Sequence, residues 1–115
     1  MNTVPVSINN IMKLANVSEN DVAYYILHQA NRMILENIAV SANIDVDKVL
    51  RGTLNKYGNL SSASVASVIS DEYERFNQKQ CRILLNAFGI GLSWGSALIE
   101  LTNTICLPMI LYKEN

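Results

Sequence analysis

The sequence predicts an α/β fold: a mixed sheet with helices packed on it. Three observations point there. "VAYYIL", residues 22–27, is a short apolar run rich in aromatic and branched residues, the pattern of a buried strand. "CRILLNAF" and "LSWGSALIEL" are two further runs joined only by "GIG", a connection too short for anything but an antiparallel pair. Around these runs the apolar residues recur at helical spacing instead.

Taken in order, Val6, Ile8, Ile11, Met12 and Ala15 form the apolar side of a first helix, with Pro5 in its opening turn. "NVSEND" breaks that pattern before the first strand, which ends at His28. From Ala30 the period changes again, and Ala30, Met33, Ile34, Ile38 and Ala42 fall on one helical face that Asn43 terminates. "IDVDKVL" reads as the start of a polar connection that runs through Gly52. A third helix is expected after "YGN", with Ser62, Val65, Ala66, Ile69, Tyr73 and Phe76 in phase and Ser61 as its cap. The last segment, "TNTICLPMILYKEN", is expected to add an edge strand or a strap. The whole of 1–115 reads as a single domain, with 102–115 as a tail whose placement the pattern does not give.

Composition narrows the function. Half of the 115 residues are hydrophobic and only 17% are charged, against about a quarter in typical soluble domains. Some of the surface is therefore expected to be covered by another chain or another half. A net charge of −1 with no basic stripe leaves no electrostatic footprint for nucleic acid. "ICLPMILY" is too short to span a bilayer, and no secretory signal is visible, so a cytoplasmic protein without membrane association is expected. Cys81 and Cys106 lack metal-ligand spacing and read as buried, reduced thiols. A metal site is not expected around a lone histidine.

Two polar motifs, "HQAN" at 28–31 and "YGNLSS" at 57–62, stand where strands or turns hand over to helices. In open α/β sheets ligands gather there, at the carboxyl ends of strands beside helix N-termini. Taken singly, each motif has an ordinary structural explanation: a satisfied histidine, a turn with its cap. "FGIGLSWG" does not have the spacing of a dinucleotide-binding loop, and a strand follows it.

Together and in this order, "DVAYYILHQAN", "YGNLSSAS" and "AFGIGLSWGSALIEL" resemble the C-terminal half of a β-ketoacyl-acyl carrier protein synthase III, a thiolase-like condensing enzyme. The resemblance runs from the helix before the first motif to about Leu101. It implies a decarboxylative Claisen condensation of malonyl-acyl carrier protein with an acyl thioester. His28 and Asn59 would hold the thioester oxygen on which the enolate charge develops, a task for two preorganised donors. Asn31 would help order the site and contact the phosphopantetheine arm, and Phe88 would lie beside the reacting carbons. The backbone N–H of Ile90 would serve the acyl-cysteine step; relatives often carry glycine or alanine there.

The arginine with which relatives face the carrier stands two residues after the motif's asparagine. Here that position is Met33, and the arginine is Arg32, about 100° away around a helix. The resemblance implies no bound cofactor, since acyl-CoA and malonyl-acyl carrier protein are substrates. The implied partners are the carrier, an N-terminal half bearing the catalytic cysteine, and a second copy of the complete protein. Neither cysteine of this chain matches that nucleophile, so the chain alone is expected to be inactive. Two alternatives stay open: a non-catalytic half that binds a carrier or partner, and a thiolase-like acyltransferase without decarboxylation.

Overall fold

The computed structural model describes residues 2–77, 80–91 and 93–114. Its centre is a three-stranded sheet in the order β1-β2-β3, with β1 Tyr24–Leu27, β2 Gln80–Phe88 and β3 Trp94–Thr102. β1 runs parallel to β2, and β3 returns antiparallel, pairing Phe88 with Trp94 and Gln80 with Thr102. The mixed sheet is thus the one expected. Beyond β1, an isolated parallel bridge from Tyr25 to Val49 extends the hydrogen bonding by one step.

β1 and β2 are apolar on both faces because helices cover both. On one side, α1 Thr3–Leu14 and α2 Arg32–Ala42 bury Ile8, Met12, Leu35 and Ile38 against Tyr25, Leu27 and Leu84. On the other, α4 Ser64–Asp71 and α5 Tyr73–Phe76 bury Val68 and Phe76 against Ile26, Cys81 and Ile83. The alternation of Tyr25 and Leu27 with Ile26 is the two-residue period of a strand seen from its two faces. Each fully buried Ile or Leu contributes about 1.5–3 kcal/mol over its exposed state. One side is also fastened by polar contacts. Asn86 Nδ2 donates to Ser96 Oγ (2.8 Å), which lies 2.8 Å from Ser7 Oγ on α1.

Four expectations are corrected, and one open choice is decided. First, α2 begins at Arg32, because Asn31 is extended and its Oδ1 accepts from Ile34 N–H (2.9 Å) as an N-cap. The buried stripe is consequently Leu35, Ile38, Ala39 and Ala42, while Met33 is 72% exposed. Second, "IDVDKVL" is no polar connection: Ile44, Val49 and Leu50 are buried, and α3, Gly52–Tyr57, follows.

Third, Ser61 does not cap the next helix. Its φ is +53°, its N–H is taken by Asn59 Oδ1 (2.9 Å), and that helix is split at Glu72 into α4 and α5. Fourth, β3 is half-exposed along most of its length rather than buried, since it is an edge strand. It starts at Trp94, and Leu92 lies outside the described residues. Of the two forms expected for the last segment, an edge strand or a strap, residues 103–114 take the second. They run as a strap tied by Asn77, whose side chain accepts from Cys106 N–H (2.6 Å) and donates to the Cys106 carbonyl (3.2 Å). Cys106 is only half-buried there. Among the described residues no helix is long and apolar enough to cross a membrane.

Candidate active site

The parallel pairing of β1 with β2 brings two carboxyl ends side by side, and His28 is the first residue past one of them. Its N–H donates to the Asn86 carbonyl (2.8 Å), which carries the ladder one step beyond the strand. The ring is half-buried and stands edge-on to Phe88, with centroids 5.0 Å apart and planes at 78°. Its Nδ1 lies 2.8 Å from the Ser64 hydroxyl at the start of α4. Phe88 thus fixes the tilt of the ring and Ser64 its rotation.

Asn59 reaches the same place by another route. α3 ends at Gly58, whose φ of +71° and ψ of −155° form a conformation open essentially to glycine alone. The chain then reverses, and Asn59 turns its Oδ1 onto the Ser61 N–H. The amide Nδ2, with two N–H donors on an exposed residue, has no protein partner among the described residues.

A pocket of about 890 Å³ opens between these elements, lined among others by His28, Asn59, Ser64, Phe88, Ile90 and Trp94. Four of the residues singled out in the sequence, His28, Asn59, Phe88 and Ile90, thus share one cavity. The hairpin that carries Ile90 is closed by Gly89 N–H donating to the Ser93 carbonyl (2.9 Å), and the Ile90 side chain is fully exposed.

Asn31 and Arg32 are not among the pocket's lining residues. Asn31 is committed as the cap of α2, and Arg32 pairs with Glu36 one turn along (Nε–Oε1 2.8 Å). Arg51 joins the same carboxylate at 3.1 Å, and Arg32 foremost holds the Glu36 carboxyl below its ordinary range. Gln29, the remaining member of "HQAN", is fully buried. Its amide donates to the carbonyls of Leu27 (2.7 Å) and Leu50 (3.1 Å), pinning the end of β1 to the segment beside it.

Ser64 is the residue that sequence reading missed. It belongs to a run of small polar residues, "SSAS", in which nothing marks one serine over its neighbours. Neither thiol enters the pocket: Cys81 is buried on β2, and burial above all, with Cys106 nearby, pushes it above the ordinary thiol range. Among the described residues no group of three or more His, Cys, Asp or Glu side chains is arranged to hold a metal ion.

A mixed sheet between two helical layers, with a largely apolar pocket holding a few polar side chains at the carboxyl ends of its parallel strands, defines this chain as a thiolase-like α/β unit. Residues 12–101 match the family described as 3-oxoacyl-[acyl-carrier-protein (ACP)] synthase III C terminal, and the chain belongs to that family. The β-ketoacyl-[acyl-carrier-protein] synthase III of Prochlorococcus marinus (strain MIT 9215) is 39% identical over 98 residues, covering 84% of this chain and 29% of that protein. A putative 3-oxoacyl-[acyl-carrier-protein] synthase 3 of Campylobacter jejuni is 32% identical over 110 residues, 96% of this chain and 30% of that one.

Among solved structures, a 3-oxoacyl-(acyl-carrier protein) synthase from Burkholderia xenovorans LB400 superposes with a TM-score of 0.83 at 26% identity, over 91% of this chain and 31% of that one. The synthase III of Aquifex aeolicus VF5 gives 0.77 at 31% identity, over 84% and 31%. The chain therefore spans just under a third of the length of these relatives.

Proposed function

We propose that this chain is the part of a synthase III-type condensing enzyme that stabilises the enolate. A malonyl thioester, carried on the phosphopantetheine of an acyl carrier protein, enters the pocket past Trp94. The bond to its carboxylate breaks, carbon dioxide leaves, and the electron pair passes into an enolate with its charge on the thioester oxygen. His28 and Asn59 donate hydrogen bonds to that oxygen. The enolate carbon then attacks an acyl group on a cysteine thioester, whose thiolate is the leaving group. That cysteine belongs to a stretch of protein outside these 115 residues. Asn31 supports the loop that the phosphopantetheine arm passes, and the Ile90 N–H receives the oxyanion of the acyl-cysteine step. The complete protein works as a homodimer in the cytoplasm and needs no cofactor beyond its substrates.

One observation supports the reading above the others. Asn59 lines the pocket with its oxygen engaged by the Ser61 N–H, while its amide N–H groups have no protein partner among the described residues. An amide held that way suits an oxygen that gains negative charge, and removing one such donor typically costs about 10²–10³ in rate. The test is malonyl decarboxylation by a protein that contains this chain together with the cysteine-bearing part. His28→Ala and Asn59→Ala should each lower it by about that factor. Acyl loading of the cysteine should continue in both. Decarboxylation at the normal rate in either variant removes that residue from the mechanism.

A further inference from the structure

We propose that Ser64 is a positioning residue: its hydroxyl donates to Nδ1 of His28 and so fixes the ring in the tautomer that carries its proton on Nε2. The geometry leaves two ways to share one proton across the 2.8 Å contact between Ser64 Oγ and His28 Nδ1. Either the hydroxyl donates to a bare Nδ1, or an Nδ1–H donates to the hydroxyl oxygen. The surroundings of Ser64 choose between them. Its oxygen already faces a donor, the Gln29 N–H at 3.4 Å. A second N–H aimed at the same oxygen would leave the hydroxyl proton with no acceptor among the described residues. Ser64 borders the pocket but is only 1% exposed, so water reaches that proton poorly. An unpaired buried donor is the costlier arrangement.

With the hydroxyl donating to Nδ1, both groups are satisfied and the second ring nitrogen bears the proton. Nε2 has no protein partner among the described residues, and His28 lines the pocket, so the N–H that results is available to a ligand there. The inference deepens the proposed function and rests on it for its consequence, though not for its geometry. With the opposite tautomer the neutral ring would present a lone pair to a developing oxyanion and repel it. Ser64 thereby does for His28 what the Ser61 N–H does for Asn59. Each engages an acceptor of its partner and leaves a donor free.

His28 is the sole histidine of the chain, so ¹⁵N-histidine labelling gives one ring and two nitrogen resonances. With the ring neutral, wild-type protein should show a pyrrole-type Nε2 and a pyridine-type Nδ1. In Ser64→Ala the two resonances should move toward one another as the tautomers mix, and in Ser64→Thr, which keeps a hydroxyl, they should stay apart. A pyridine-type Nε2 in wild-type protein overturns the proposal without recourse to any variant. An unchanged spectrum in a folded Ser64→Ala protein overturns it as well. The two readings fail separately: normal decarboxylation by His28→Ala removes the proposed function and leaves this spectrum as it is.

Discussion

Gln29 and His28 are adjacent polar residues with opposite duties, and only their surroundings separate them. The Gln29 amide donates to two carbonyls, those of Leu27 and Leu50. Replacing it with alanine strands both acceptors in a fully buried place, which we expect to cost about 2–4 kcal/mol, at 1–3 kcal/mol for each acceptor left unpaired and some relief by water. Urea denaturation of Gln29→Ala measures it, and a loss under about 0.5 kcal/mol, the level of an ordinary surface change, would show that the clip is idle. "HQAN" was legible as a motif because its four residues stand together where the apolar period changes. Its division of labour was not legible: which residue points into the pocket, which caps and which is buried depends on the extended backbone of Asn31 and on a carbonyl 21 residues away. Ser64 was illegible for the same reason, since its partner is 36 residues distant.

At the scale of elements, sequence reading worked where one strong signal set the structure. Apolar runs gave all three strands; β1 and the middle of β2, covered by helices on both faces, have little polar side, while β3 is an exposed edge. It failed where two local preferences compete. "NLSSAS" offers several serines that suit a helix cap, yet the turn from Asn59 to Ser61 takes the first of them out of helical geometry. That turn depends on Gly58. Gly58→Ala should cost about 1–3 kcal/mol, the usual price of a side chain in that region, and should displace Asn59 from the pocket. Thermal unfolding reads the first effect, and malonyl decarboxylation reads the second. A variant as stable and active as the parent would mean that Asn59 is held by something else.

The short 3₁₀ turn Glu19–Asp21 ahead of β1 allows a test by pH. Ser18 N–H (2.7 Å) and Ser18 Oγ–H (2.9 Å) both donate to Asp21 Oδ2, the backbone bond foremost, and they hold the carboxyl below its ordinary range. A carboxyl lowered on folding adds stability above the unfolded pKa and loses it as pH falls through the folded one. Stability should therefore decline as pH drops below about 4. Asp21→Asn should flatten that part of the profile in thermal melts. An acid limb of unchanged slope would assign the decline to other carboxylates.

The whole molecule is longer than its core requires. Its radius of gyration is 14.2 Å, against about 13 Å for a compact chain of this length. Much of the difference fits the strap, where Ile105, Ile110, Leu111 and Tyr112 are each at least 80% exposed. Together with the exposed Ile90 and Trp94 at the pocket mouth, it is the greasy surface that the low charge content pointed to. The same incompleteness appears in the chemistry. Among the described residues no thiol lines the pocket: Cys81 lies at the opposite end of β2, in the apolar layer beneath α4 and α5, with its thiol raised by burial. Cys106 is pinned through its backbone to Asn77, and neither thiol lines the cavity. A thiol kept protonated attacks a thioester poorly, because the thiolate is the reactive form. Incubated with acyl-CoA and weighed intact, the 115-residue chain should therefore gain no acyl mass. An adduct that saturates at one per chain and disappears in Cys81→Ser or Cys106→Ser would give the chain its own nucleophile, and the division of the reaction between two parts of a longer protein would have to be abandoned.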